Sequence, residues 1–306
     1  MRRIMILAGI DEAGYGPLLG PLVVGCCAFE VDSDAGADEI PCIWKKLRRL
    51  VSKNRLRSGK KLHINDSKAV YNPSIGVKEL ERAVLTVLCA WCGGCDGLDD
   101  YLARISPQAA PELKEYAWYR RFEGESFPIQ QDGIGLRLFA NALRMEMEKN
   151  KTKCVYLGAR IVHEKQFNKL MIATRNKGNT LFSTSAIHLD YLMKTYADEN
   201  LVIFCDRLGG RSHYGHILRE MFQDWHLEII SEAESRGEYH LISESRLVRI
   251  IFAEKAEAQC LPVAMASMIS KYTREALMHR FNAWWKTHLP ELAPTAGYYN
   301  DGVRFL

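Results

Sequence analysis

Ile4, Ile6, Ala8 and Ile10 alternate with Met5, Leu7 and Gly9 in a run that is apolar at both parities, the pattern of a strand covered on both faces. The run stops at two adjacent acids, Asp11 and Glu12. Behind them, glycines at 14, 16 and 20 and prolines at 17 and 21 predict a tight turn whose main-chain N–H groups can approach a ligand closely. Leu22 to Phe29 predicts a second strand, antiparallel to the first across that turn. The pattern then changes period: Trp44, Leu47 and Leu50 are spaced as on a helix until Ser58-Gly59 interrupts, and Glu79 to Leu88 is helical again. From Val155 strands and helices alternate. Val155 to Val162, Leu201 to Cys205 and Leu247 to Phe252 read as strands, Thr184 to Tyr196 as a helix, and Pro262 opens a long helix reaching about Trp285. Leu201 to Cys205 ends at Asp206 as the first run ends at Asp11, and Glu257 follows the last strand. An α/β layer fold with strand-end acids meeting on one edge is the expectation.

Residues 93–153 have a different texture, with Gly93-Gly94, Asp99-Asp100 and Pro107, Pro111 and Pro128 ahead of a helical pattern from Leu136 to Met147. They are expected to form an insertion or subdomain within a single domain over 1–306. Tyr116, Trp118, Tyr119 and Phe122 with Arg120 and Arg121 fit either a small satellite core or a base-stacking surface. At 306 residues and 47% hydrophobic composition the chain can bury a large core. No apolar run approaches the roughly 20 residues that span a bilayer, and Met1-Arg2-Arg3 precedes a strand-like run, so a cytoplasmic location without a membrane partner is expected.

Nine cysteines then read mainly as reduced core residues, while Cys89, Cys92 and Cys95 fit either buried thiols or the start of a metal site. Net charge is only +4, but Lys45, Lys46, Arg48, Arg49, Lys53, Arg55, Arg57, Lys60 and Lys61 crowd one segment, either a phosphate-binding surface or a solvated face. Paired carboxylates beside a glycine-rich turn, with further acids at Asp206 and Glu257, offer hard oxygen donors suited to Mg²⁺ and to metal-assisted phosphoryl chemistry. Solvated strand-end caps are the alternative. Asp66-Ser67-Lys68 would by itself suggest no more than a helix cap.

Separated blocks resemble one family, the type 2 ribonucleases H (ribonuclease HII). Gly9-Ile10-Asp11-Glu12-Ala13-Gly14-Tyr15-Gly16-Pro17 resembles its opening motif, Asn65-Asp66-Ser67-Lys68 its Asp-Ser-Lys element, and Phe204-Cys205-Asp206 the strand bearing its third acid. Lys255-Ala256-Glu257-Ala258 leading to Ala266-Ser267-Met268-Ile269-Ser270-Lys271-Tyr272-Thr273-Arg274-Glu275 is similar to its Lys-Ala-Asp-Ala to Arg-Asp stretch, and Ala296-Gly297-Tyr298-Tyr299-Asn300-Asp301 to its Ser-Gly-Tyr-Pro-Asn-Asp. The resemblance implies a ribonuclease H-like fold, α/β with a central mixed β-sheet flanked by helices. It implies hydrolysis of the RNA strand of RNA/DNA hybrids, or incision at ribonucleotides embedded in DNA, leaving 5′-phosphate and 3′-hydroxyl ends. Asp11, Glu12, Asp206 and Glu257 would be the catalytic acids holding Mg²⁺ or Mn²⁺, two ions in all, while Gly14, Tyr15, Gly16, Lys68, Lys271 and Tyr298 would contact substrate.

Three departures qualify the match. Tyr15 stands where the family has an arginine, which implies weaker discrimination at a single embedded ribonucleotide. Glu257 replaces an Asp, which implies tolerance of Mn²⁺. The sequence ends at Leu306, without the terminal helical extension of many members.

Overall fold

The computed structural model describes residues 3–16, 18–33, 39–56, 58–208, 210–244 and 246–306. Met1, Arg2, Pro17 and Arg57, which belong to the patterns above, lie outside the described residues. The chain opens with β1 (Arg3–Ala13) and β2 (Leu22–Ser33), then passes through α1 (Ile43–Lys46), β3 (Val51–Ser52), β4 (Leu62–His63) and α2 (Ser67–Val70). A helical block follows: α3 (Lys78–Cys92), α4 (Leu98–Ile105), α5 (Ala109–Leu113) and α6 (Gly133–Lys149). Next come β5 (Thr152–Val162), α7 (Glu164–Thr174), α8 (Lys177–Tyr196), β6 (Asn200–Asp206) and α9 (Gly215–Met221). The chain closes with β7 (His226–Glu232), β8 (Arg236–Ser243), β9 (Arg246–Ala253), α10 (Ala256–Gln259), α11 (Leu261–His288) and α12 (Tyr299–Phe305).

Seven strands make one mixed sheet in the order β5-β2-β1-β6-β9-β8-β7. Its middle, β1-β6-β9, is parallel and both flanks are antiparallel. Helices cover both faces, so the expected α/β architecture with a central mixed sheet is what forms. The two parities of β1 serve two cores: Met5 and Leu7 pack with residues of α3 and α11, and Ile6, Ala8 and Ile10 with residues of α8. α11 lies unusually close to the sheet because Gly25 offers it no side chain; a Cβ there would stand 2.4 Å from the Ala266 carbonyl oxygen.

The structure departs from the pattern in identifiable places. The first helix stops at Lys46, after which the chain bends into β3, with the Trp44 indole N–H donating to the Ile64 carbonyl at 3.2 Å. α8 starts at Lys177, well before Thr184, because the Asn176 side chain caps it by accepting from the Asn179 N–H at 3.1 Å. β7 and β8, which the pattern did not reveal, form an edge hairpin whose polar positions are tied by Arg236 and Arg249 to Glu238. Among the described residues no helix is long and apolar enough to cross a membrane.

Within 93–153, Tyr101, Leu102, Leu143 and Met147 join the same core as α3 and α11. Tyr116, Trp118 and Tyr119 join the main core and not a small satellite one, packing against the far part of α11: Trp118 lies 6.3 Å from Phe281 and 6.1 Å from Trp284, ring to ring, and Tyr119 is buried. Arg280 of α11 fastens this segment. Its guanidinium donates to both Glu125 oxygens at 2.6 and 2.7 Å and to Asp99 at 2.6 Å, with the Arg280 and Glu125 side chains only 2% and 5% exposed. Arg280→Ala strands a desolvated carboxylate, so urea unfolding should show a loss of about 3 kcal/mol, reduced when Glu125→Gln is added. Equal loss in the single and double variants would refute this account of the segment's attachment.

Candidate functional site

Strand register brings the acids to one end of the sheet. Ile10 pairs with Cys205 across the parallel β1-β6 contact, so Asp11 and Asp206 leave neighbouring strands at the same level. Asp206 in turn pairs with Ala253 at the end of β9. There Lys255 adopts a left-handed conformation, φ 52°, and turns the chain into α10, which carries Glu257; the Ala256 N–H donates to the Asp206 carboxylate at 3.3 Å and pins the turn. Glu12 continues the parity of Ile6, Ala8 and Ile10 towards the α8 side, while Asp11 faces α11. On that side the Ser270 hydroxyl donates to the Asp11 carbonyl at 3.0 Å, and the nearby Ser267 hydroxyl favours the ionised Asp11 carboxyl.

Ser267 also brings in the second motif. It accepts from the Ser67 N–H at 3.3 Å and donates to the Ser67 hydroxyl at 3.1 Å, which docks Asn65 to Lys68 against Asp11. Lys68 consequently acts electrostatically on Glu12, Asp206 and Glu257. Asp66 does cap α2, accepting from the Lys68 N–H at 3.1 Å, but its charge also bears on Asp206 and Glu257. It is a fifth carboxylate of the neighbourhood; its spacing alone suggests a cap, and only the resemblance of Asn65 to Lys68 to the Asp-Ser-Lys element points to more.

Crowding sets the ionisation of these groups. Burial first, then the charges of Glu12 and Asp206, holds the Asp11 carboxyl well above the usual carboxylate range. Burial and Asp206 push Glu12 up to about 7, although Lys68 opposes them. Asp206 and Glu257 are raised as well, chiefly by burial, with Asp66 acting on both and Asp206 on Glu257. Glu12 Oε2 is buried without a hydrogen-bond partner. The Asp206 charge thus bears on the other three carboxylates, yet among the described residues no three His, Cys, Asp or Glu side chains are grouped as ligands of a single ion. Like charges in a partly desolvated site favour such spreading. The same finding covers Cys89, Cys92 and Cys95, of which Cys89 is buried in the core and Cys92 lies beside Arg104.

The remaining candidates surround this row of acids unequally. Gly14, with φ 93°, must be glycine, since a Cβ would lie 2.4 Å from the Pro21 carbonyl oxygen; at Gly16 a Cβ meets nothing within 4 Å. Tyr15 adjoins Glu12, and the Lys177 ammonium lies over its ring, 4.6 Å from the centroid. Lys271 is already paired, to Glu275 at 2.6 Å, between the rings of Tyr71 and Tyr298 at 4.6 and 5.6 Å. Tyr298 is half exposed and sits beside the glycine-rich turn because Leu18 and Leu19 N–H groups donate to the Gly297 carbonyl and Arg274 donates to the Leu19 and Ala296 carbonyls. At the other end of the row, Lys53 of the basic segment donates to the Ala258 carbonyl at 2.6 Å, next to Glu257.

No protein-family model matches the chain. It is 43% identical to ribonuclease HII from Methanocaldococcus jannaschii over 58 residues, which are 19% of this chain; the match spans only 24% of that curated relative. Among solved structures it aligns with one titled as the PCNA:RNase HII complex from Archaeoglobus fulgidus, at TM-score 0.39 and 14% identity, over 97% of this chain and 83% of that one. It aligns with ribonuclease H2 from Pyrococcus horikoshii OT3 at TM-score 0.35 and 15% identity, over 97% and 82%. The 58-residue match and the order of motifs along the chain support a diverged, ribonuclease HII-like protein.

Proposed function

We propose that this chain is a divalent-metal-dependent endonuclease that hydrolyses the RNA strand of RNA/DNA hybrids, giving 5′-phosphate and 3′-hydroxyl ends. One observation carries the reading: β1, β6 and α10 deliver Asp11, Glu12, Asp206 and Glu257 to one sheet end, where the Asp206 charge raises the pKa of the other three. An all-oxygen set with an orphaned buried oxygen on Glu12 suits Mg²⁺ or Mn²⁺, and these four side chains would hold it. Bound there, two such ions would activate water and neutralise charge on the scissile phosphate. The chain's own part is to hold the acids by Ser267, Ser270 and the Ala256 N–H, and to bring the Lys68 ammonium to them. Gly14, Tyr15, Gly16 and Tyr298 form the substrate-facing turn in this reading. Lys271 acts within it by setting Tyr298, its own charge being paired with Glu275.

A second reading is favoured by the spread of the acids, no three of which are grouped about one point among the described residues: a diverged protein that binds nucleic acid without cutting it. Labelled DNA, RNA, hybrid and singly ribonucleotide-substituted duplexes, incubated with Mg²⁺ or Mn²⁺, separate the two. Cleavage of the hybrid supports the nuclease; binding without cleavage of any substrate overturns it.

The basic segment supplies affinity without sequence readout in this proposal. Lys53 of that segment is held beside Glu257 by its bond to the Ala258 carbonyl. Lys53→Ala should weaken all duplexes alike and lower the salt slope of log K by about 0.9. An unchanged slope returns the segment to a solvated face.

A further inference from the structure

The acids form a row with a different cation at each end. Glu257 is followed by Ala258, whose carbonyl holds Lys53, and Glu12 is flanked by Tyr15, whose ring holds Lys177. Lys177 is a different kind of cation from Lys271, which Glu275 neutralises. Among the described residues it makes no ion pair; its ammonium rests on the Tyr15 π-face, which orients a cation while leaving donors for another partner. Its backbone is equally well fixed. Lys177 opens α8 immediately after the capping residue Asn176, and Arg211 donates to Asn179 at 2.5 Å, so the chain following Asp206 is tied to the same helical turn. Tyr15 itself packs on the α8-side core.

Resting on the nuclease reading, we infer that Lys177 and Tyr15 act as one substrate-binding unit: the ring aims the ammonium at a backbone phosphate of the nucleic acid beside Glu12. The ligand class is a polyanion, because an ammonium that no carboxylate pairs among the described residues gains most from an anionic oxygen, and a neutral ligand offers it less. A ring that only filled space would not need the cation, and a cation that only solubilised the surface would not need the ring.

The test is fluorescence anisotropy of a short labelled RNA/DNA hybrid with the full chain in EDTA, as a function of salt. Lys177→Ala should weaken binding about 5-fold to 10-fold and lower the salt slope of log K by about 0.9, whereas Lys177→Arg should keep both. Tyr15→Ala should lose much of the same affinity, and the double variant should bind no more weakly than Lys177→Ala alone, because the ring works through the cation. In turnover with Mn²⁺ the Lys177→Ala defect should lie more in KM than in kcat. Wild-type affinity and slope in Lys177→Ala, with or without a lowered Tm, overturns the inference and leaves the nuclease reading intact. Absence of hybrid binding by the wild type overturns both.

Discussion

Asp206→Asn should lower hybrid cleavage by about 10³-fold or more while making the metal-free protein more stable at neutral pH. The rate effect follows from removing the central charge of the row, the one that acts on Asp11, Glu12 and Glu257 alike. In the proposed mechanism, losing one of the carboxylates that would hold the metal forfeits several kcal/mol of transition-state stabilisation, and each 1.36 kcal/mol is a decade in rate. The isosteric amide keeps its volume, and its oxygen still accepts from the Ala256 N–H, so the turn into α10 survives.

The stability effect has the opposite sign. Every acid of the row titrates above its usual value, so the native metal-free state binds protons more readily than the unfolded chain. The stability that these four acids contribute is therefore greatest at acid pH, below the unfolded carboxylate values, and falls as pH rises; for Glu12 the window runs from 4.5 to about 7. Asp206→Asn removes repulsion felt by both Asp11 and Glu12, which should flatten that decline and gain roughly 1–2 kcal/mol at pH 7. Urea unfolding in EDTA across this window measures it, and Mn²⁺ should stabilise the wild type more than the variant. Undiminished cleavage by the variant would place the site elsewhere. A pH dependence between 4.5 and 7 that is the same in the wild type and in Asp206→Asn would show that the acids are not crowded.

Sequence made the elements of the site legible to different depths. Asp11 and Asp206 each end an apolar run, so period and termination located them, and the parallel pairing of Ile10 with Cys205 makes them neighbours. Glu257 was placed through resemblance; the left-handed Lys255 that swings it inward has no signature in hydrophobic period. By spacing alone Asp66 reads as a cap because its helix is short and local, while the bond from Ser67 to Ser267 crosses 200 positions of sequence. Lys177 escaped notice for a related reason. The helix it opens was expected to begin at Thr184, since the first turn, Lys177-Gly178-Asn179-Thr180, has a weak apolar pattern and depends on the Asn176 cap. The basic segment and the aromatic block were both open to two readings, and packing alone placed the second in the main core, by burying Tyr119 and setting Trp118 against Phe281 and Trp284.

Gly9→Ala should abolish the folded state, or at least cost more than about 4 kcal/mol, although it adds a single methyl group to a strand. A Cβ at Gly9 would stand 2.1 Å from the Val263 nitrogen and 2.3 Å from the Pro262 carbonyl carbon. Both are backbone atoms in the first turn of α11, so no rotamer change relieves the clash, and either the helix or the strand must move. That helix start is itself anchored: Cys260, Leu261 and Val263 are buried, and Pro262 fixes the entry into α11. Displacing it would carry Ser267 and Ser270 away from Asp11 and loosen Ser67, so any residual folded protein should have lost cleavage beyond its loss of stability. Gly16→Ala is the control, because a Cβ there meets nothing within 4 Å and stability should stay within about 0.5 kcal/mol of wild type. Circular dichroism melts of the two variants decide the matter. A cooperative Gly9→Ala melt within a few degrees of wild type would show that α11 does not lie against β1 at Gly9, and with it would fall the seating of Asp11 by the two serines.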